Sequence, residues 1–267
     1  MKHVLSIQDL SCTGRCSLTV ALPILSAMGC RCTVLPTTVL SSHTGFPNPH
    51  RRGLTEHIDP IARHWKSLNM KFDAIGVGYL ADPQQAEAVK QVIDTFPALT
   101  VVDPAMGDHG KLYRSITPEQ VQAMAGLCRK GNVLLPNMTE AAFLTGIPYR
   151  EDPDAGYLRE LTAGMLSFGA DAVVITGVSG KHGTIGFCGK ACGEEFSYEA
   201  PCIQSQFHGT GDMFAAVLLG SMMAGHDVKA AATLAAGFVE RTLAYSGAPT
   251  PHGAEFEKQL PWLWEHI

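Results

Sequence analysis

Six short runs of β-branched and other apolar residues recur along the chain: Val4–Ile7, Thr33–Leu40, Ala74–Gly78, Thr100–Asp103, Val133–Pro136 and Ala172–Thr176. Longer amphipathic stretches separate them. Parallel strands need a crossover of a dozen or more residues, which a helix supplies, so the alternation predicts an α/β fold with a central, mostly parallel sheet flanked by helices. The intervening stretches carry helix punctuation. Asp82-Pro83 precedes an apolar-periodic run to Phe96, Thr117-Pro118 with Gln120 reads as a capping box, and Gly29 follows the stretch Leu18–Met28. Met213–Met223 and Val228–Leu243 are Ala-rich and apolar at helical spacing, which predicts a packed helical pair. At about 150 residues per domain, 267 residues allow one domain or two. No composition break or repeat divides the halves, so residues 1–267 read as a single domain without a separate lid, with one long polar loop, Ser42–Arg52.

Composition removes several classes of function. With 46% hydrophobic and 17% charged residues the chain has apolar surface enough to offset its conformational entropy, so a disordered or acidic-tail protein is excluded. A net charge of −5 provides no broad basic field, so neither nucleic acid nor a membrane surface is an expected partner, and any phosphate must be held locally. The opening Met1-Lys2-His3 and a short apolar run broken at Gln8 resemble neither a signal peptide nor a membrane span, and the expected location is the cytoplasm. Eight scattered cysteines in a chain of this size read as reduced thiols. The Cys12/Cys16 and Cys188/Cys192 pairs lack zinc-knuckle spacing, and His182 is the only histidine near the second pair. His43, His50, His57 and His64 follow one another at intervals of seven, but Pro47, Pro49 and Gly53 prevent one helix from aligning them, so solvated histidines are expected.

The sharpest chemical signal is Gly209-Thr210-Gly211-Asp212 directly before the apolar run Met213–Met223. Glycines on either side of a hydroxyl residue let backbone N–H groups converge at a helix N-terminus, where partial positive charge gathers and no side chain blocks an anion. Asp212 in the first turn is placed to accept a proton from a hydroxyl while those amides receive a phosphoryl group; its plainer role is helix capping. A helix N-terminus weakens a carboxylate as a base, which matters little in a loose phosphoryl-transfer transition state. No G-x-x-x-x-G-K-[ST] run occurs, and no G-x-G-x-x-G opens a helix after the first strand. Val101-Val102-Asp103-Pro104-Ala105-Met106-Gly107-Asp108 brings two acids to the carboxyl end of a strand, where α/β sheets bind ligands. In Leu134-Leu135-Pro136-Asn137-Met138-Thr139-Glu140, Asn137 and Glu140 form either a capping box or part of a magnesium-phosphate cluster with Asp108. Thr176-Gly177 ends a further strand and by itself signals only a turn.

Together these segments resemble the ribokinase superfamily of small-molecule kinases. Asp103-Pro104-Ala105-Met106-Gly107-Asp108 with Gly110-Lys111-Leu112-Tyr113 is similar to the signature of its pyridoxal kinases, as are the opening Ser6-Ile7-Gln8 and the loop Ser41-Ser42-His43-Thr44-Gly45-Phe46. The resemblance runs from residue 4 to about residue 245 and rests on the motifs jointly. It implies a three-layer ribokinase-like fold in which Asp212 is the catalytic base and Gly209, Thr210 and Gly211 are the anion hole. It also implies ATP as co-substrate, contacted by Asn137, Thr176, Gly177 and Thr210, and Mg2+ organised by Asp108 and Glu140. Thr44 and Tyr79 would lie beside a pyridine ring, with Tyr113 on the loop that covers the reactants. A homodimer and a monovalent cation follow from the resemblance as well. Two positions depart from the pattern. Asp9 stands where such kinases usually have a serine that meets the ring, and an acid there could pair with a ring nitrogen or an aminomethyl group. Leu135 stands where some relatives carry a cation-binding threonine.

The expected reaction is ATP-dependent phosphorylation of the 5′-hydroxymethyl group of pyridoxal, pyridoxine or pyridoxamine in vitamin B6 salvage. A hydroxymethylpyrimidine kinase is the nearest alternative, since it shares the phosphoryl machinery. A non-catalytic vitamin-binding protein is the alternative of another class, although a mere binder needs no acid beside an anion hole. Met106 and Met138 read as packing, Trp262 and Trp264 as anchors of the C-terminal segment, and Arg15 and Lys111 as solvated cations or phosphate neutralisers.

Overall fold

A computed structural model describes residues 1–180, 183–203 and 207–267; His182 lies outside them. The chain runs β1 (His3–Ser11), α1 (Leu18–Ala27), β2 (Arg31–Leu40), β3 (Arg51–Gly53), α2 (Thr55–Ser67), β4 (Ala74–Val77), α3 (Pro83–Thr95) and β5 (Leu99–Val102). A small hairpin, β6 (Gly107–Asp108) and β7 (Lys111–Leu112), precedes α4 (Pro118–Cys128), β8 (Val133–Leu134), α5 (Met138–Thr145) and α6 (Ala155–Leu166). Then come β9 (Ala172–Ser179), β10 (Thr184–Ala191), β11 (Glu194–Pro201), α7 (Thr210–Ala224), α8 (Val228–Ser246) and α9 (Leu260–Trp264). The main sheet is ordered β11-β10-β9-β8-β5-β4-β1-β2-β3. Its six central strands are parallel; β3 and β10 run antiparallel to them at the two edges, and β11 pairs antiparallel with β10.

Alternation along the strands sorts the core into two layers. Leu5 and Ile7 of β1, Ile75, Val102, Leu134 and Val173 turn to the face covered by α2 through α6. Val4, Ala74, Val101, Val133 and Val174 turn to the face covered by α1, α7, α8 and α9. Burial on both faces is why the central strands read as continuous apolar runs. The α7 and α8 pair packs as expected, and all eight cysteines are free thiols. Met106 and Met138 are buried, Trp262 stacks on Phe238, and Trp264 is 63% exposed, so only the first of the two tryptophans anchors the C-terminal segment. No described helix is long and apolar enough to cross a membrane.

The helix caps follow the sequence with one correction. Asp82 accepts from the Gln85 amide at 2.9 Å and Thr117 from the Gln120 amide at 3.3 Å, each with proline in the first turn. The Gln120 side chain does not complete a capping box. Its Nε2 donates instead to the Leu80 carbonyl at 3.0 Å, tying α4 to the segment after β4. The hairpin of β10 and β11, absent from the expected strands, has one face on α8 through Phe187 and Phe196, and on the other face Cys188 packs on the α6 side while Glu195, Ser197 and Glu199 are not buried.

Candidate active site

The carboxyl ends of β1, β4, β5, β8 and β9 and the start of α7 meet at one rim. Gly209 caps α7 with φ 83°, a left-handed conformation that costs glycine little, and a Cβ there would collide with the Arg15 carbonyl. This glycine lets the chain pass tightly under the loop after β1 before turning into the helix. The Met213 amide returns to the Gly209 carbonyl at 3.0 Å, while among the described residues no backbone carbonyl takes the amide protons of Thr210, Gly211 or Asp212. Among the described residues, three N–H groups of a 15-residue helix thus have no carbonyl partner and could meet an anion. Burial pushes the Asp212 carboxyl up to about 7, opposed by the Ser17 amide and assisted by the charge of Asp9. A cavity of about 30 Å³ lies beneath it, lined by Ser6, Gln8, Gly78, Asp103, Asp212 and Leu219 among others. That space suits one or two waters and is far too small for a heterocycle.

Asp103 at the end of β5 is the group that sequence reasoning left without a role. Desolvation and the charges of Glu140 and Asp212 raise its pKa well above the carboxylate range. Glu140 is buried, and burial raises it too, against hydrogen bonds from the backbone. Its Oε2 accepts from the Asn137 amide at 2.8 Å and its Oε1 from the Met106 amide at 2.9 Å. The Asn137 Oδ1 accepts from the Glu140 amide at 3.0 Å and its Nδ2 donates to the Gly107 carbonyl at 2.8 Å. The capping box is therefore real, and the same two side chains anchor the loop that carries Asp108. The Asp108 side chain is 56% exposed and accepts from the His109 amide. Desolvation, and after it the charges of Glu140, Asp108, Asp103 and Asp212, raise the Tyr113 phenol, which sits past the small hairpin and over the acids. Thr176 bridges to Asn137 in parallel register, and Gly177, at φ 68°, follows on the open side.

Among the described residues no group of three or more His, Cys, Asp or Glu side chains is gathered tightly enough to hold a metal alone. The donors that are present are all carboxylate oxygens; burial, and after it the neighbouring carboxylates, raises Asp103 and Glu140 above free acids. Such a set fits Mg2+, which binds through one or two carboxylates and completes its shell with phosphate and water.

On the other side of Asp212 the residues expected around a ring divide. Tyr79, after β4, is half-buried, with its hydroxyl 3.1 Å from Ser115 Oγ, and Thr44 is exposed in the loop after β2. Asp9 is a correction. Only 4% exposed, it accepts from the Ser17 hydroxyl and from the Ser11 hydroxyl at 3.0 Å, so both oxygens are committed inside the fold rather than offered to a ring. His43 is a second correction, since it is buried and not solvated. Its Nε2 donates to the Pro251 carbonyl at 2.7 Å, its Nδ1 accepts from the Gly45 amide at 3.0 Å, and its ring lies 4.6 Å from that of His208. Arg15 pairs with Glu257 at 2.7 Å, and its amide donates to the His252 carbonyl at 2.9 Å. Lys111 remains exposed.

Comparison with known proteins bears on the family and the fold. The family model described as phosphomethylpyrimidine kinase matches residues 25–255. A pyridoxine/pyridoxal/pyridoxamine kinase of Bordetella bronchiseptica is 30% identical over 87% of this chain and 85% of its own. A Bacteroides thetaiotaomicron structure provisionally described as a phosphomethylpyrimidine kinase, in a crystal form with pyridoxal, superposes with a TM-score of 0.94. It is 34% identical, over 98% of this chain and 95% of that one. The pyridoxal kinase of Lactobacillus plantarum superposes with a TM-score of 0.92 at 29% identity, over 100% of this chain and 98% of that one.

Proposed function

The chain belongs to the phosphomethylpyrimidine kinase family of ribokinase-like phosphotransferases, and from that membership we propose that it transfers the γ-phosphoryl group of ATP to the 5′-hydroxymethyl group of pyridoxal, pyridoxine or pyridoxamine. The observation that carries the reading is Asp212, a carboxyl with raised pKa beside three amides that no described carbonyl occupies. The substrate oxygen bonds to the γ-phosphorus as the bond to the ADP oxygen breaks, and the hydroxyl proton passes to Asp212. The amides of Thr210, Gly211 and Asp212, with Gly209 setting their direction, stabilise charge on the phosphoryl oxygens. Asn137, Thr176, Gly177 and the Thr210 hydroxyl border the nucleotide phosphates. Asn137 also holds the Asp108 loop in place. Asp108 would hold Mg2+ directly and Glu140 through water, with Asp103 beside them; the ion, when bound, screens phosphate charge. Thr44, Tyr79 and Tyr113 line the ring side. Leu135 is buried and offers no side-chain oxygen where a threonine would, so a monovalent cation, if one binds, would be held by other groups. The working form is a cytoplasmic homodimer, which sedimentation of the purified protein measures.

A hydroxymethylpyrimidine kinase is kept as the second reading because the matching family model is described as a phosphomethylpyrimidine kinase, which also acts on a substituted pyrimidine. Purified protein with Mg-ATP and a panel of hydroxymethyl pyridines and pyrimidines separates the two by ADP release. Faster turnover of the pyridines is expected. Tight vitamin binding with no ADP release would instead identify a non-catalytic binder. Asp212→Asn is expected to lower kcat by about 10²–10⁴ and leave ATP affinity nearly unchanged.

A further inference from the structure

Ser17 is the residue the proposed chemistry leaves unexplained. Its backbone has φ 52° and ψ −127°, the first central position of a type II′ turn, which glycine ordinarily fills. The turn is closed by the Thr19 amide on the Cys16 carbonyl at 3.3 Å. Ser17 stands at the start of α1, yet its hydroxyl makes no capping bond to that helix. The hydroxyl donates instead to Asp9, whose other oxygen takes the Ser11 hydroxyl. A buried carboxylate normally has a cation beside it. Among the described residues Asp9 has the two hydroxyls and its own amide but no cation, and the nearby Arg15 pairs with Glu257 instead. The unusual acid and the unusual backbone are therefore bonded to each other. The same turn abuts the start of α7, where a Cβ on Gly209 would lie 3.7 Å from the Cys16 Cα, and the Ser17 amide is the backbone group that opposes the rise of the Asp212 carboxyl.

We propose that Asp9 and Ser17 are positioning residues for Asp212: the Asp9 carboxylate grips the Ser17 hydroxyl, that grip keeps residue 17 in a glycine-like turn, and the turn aims the residue-17 amide at the catalytic acid. The proposal rests on the reading of Asp212 as the base. Ser17→Ala and Ser17→Gly both remove the hydroxyl, but only alanine is left in a strained conformation with nothing to hold it. With pyridoxal as substrate, Ser17→Ala is expected to lower kcat roughly 10- to 100-fold with the KM for ATP little changed, whereas Ser17→Gly stays within about twofold of the parent. Asp9→Asn is expected to behave like Ser17→Ala in the parent and to add little in the Ser17→Gly background. Equal losses in Ser17→Ala and Ser17→Gly, or none in either, would overturn the proposal by reducing the Asp9–Ser17 bond to ordinary charge satisfaction. If Ser17→Ala does not fold, the Asp9→Asn pair with and without Ser17→Gly decides the same question. Crystal structures of the variants give a readout free of any assay. Residue 17 should leave positive φ in Ser17→Ala and keep it in Ser17→Gly; positive φ retained in both defeats the proposal. Were the parent to show no turnover of any hydroxymethyl substrate, the kinase reading would fail, and the backbone at residue 17 would still decide this one.

Discussion

In the proposed transfer Asp212 takes a proton from an alcohol, and its surroundings set the pH range in which it can. Its carboxyl is raised to about 7 by burial, with Asp9 adding to the effect and the Ser17 amide opposing it. A carboxyl whose pKa rises on folding binds more protons in the native chain than in the unfolded one, so between the ordinary carboxylate range and about 7 stability falls as pH rises. The rate should run the other way. The kcat/KM of the free enzyme is expected to decline as pH drops through about 7, because the protonated acid cannot accept the hydroxyl proton. Asp212→Asn removes the buried charge and should raise stability by on the order of 1–2 kcal/mol near pH ~8, and by less near pH ~5, while turnover collapses. Urea titrations at both pH values check the sign. The residues of this centre were unevenly legible. The Gly209–Asp212 segment announces itself because glycines around a hydroxyl and an acid have few other uses. The partnership of Asp103 with Glu140 and Asp212 is invisible in sequence because it joins three elements that meet only in the sheet. Ser17 gave no signal because nothing in its side chain marks a turn that glycine would fill.

Two elements carry the geometry of the rim. The capping box that opens α5 also holds Met106, so Glu140→Ala strands two backbone amides and is expected to cost about 2–4 kcal/mol, against about 1 kcal/mol for a capping group alone. Chemical denaturation measures the difference, and equal costs for Glu140→Ala and an exposed cap such as Asp227→Ala would contradict the double role. Gly209→Ala meets the Arg15 carbonyl and forces positive φ on alanine, so a loss of about 1–3 kcal/mol and displaced anion-hole amides are expected. Among the strands, those buried on both faces were readable from composition. β8 is shorter than the Val133–Pro136 run because Pro136 has no amide to donate, although its carbonyl still receives the Thr176 amide at 2.9 Å. The hairpin of β10 and β11 was not readable, since Gly186 and Gly189 interrupt it and only one face is apolar. The helix α2 was hidden by Pro60 and by the histidines that had drawn attention to themselves.

At the scale of the whole molecule the sheet has two exposed edges, each defended by charge. Arg51 and Arg52 lie on β3, and Glu194 and Glu195 on β11. Replacing Glu195 and Ser197 with valine should leave the unfolding midpoint within about 0.5 kcal/mol of the parent and raise light scattering on warming. The fold class and the two-sided core were legible because they follow from hydrophobic periodicity, which is a property of the entire chain. The clasp between distant segments was not. His43 reaches Pro251, and Arg15 reaches His252 and Glu257, across more than 200 positions in each case. A nascent chain can therefore stack much of its sheet while still leaving the ribosome, but this clasp stays unfastened until residue 257 emerges. Partial translation products would carry the acids without the tether, and so would not compete for vitamin or nucleotide with the finished protein.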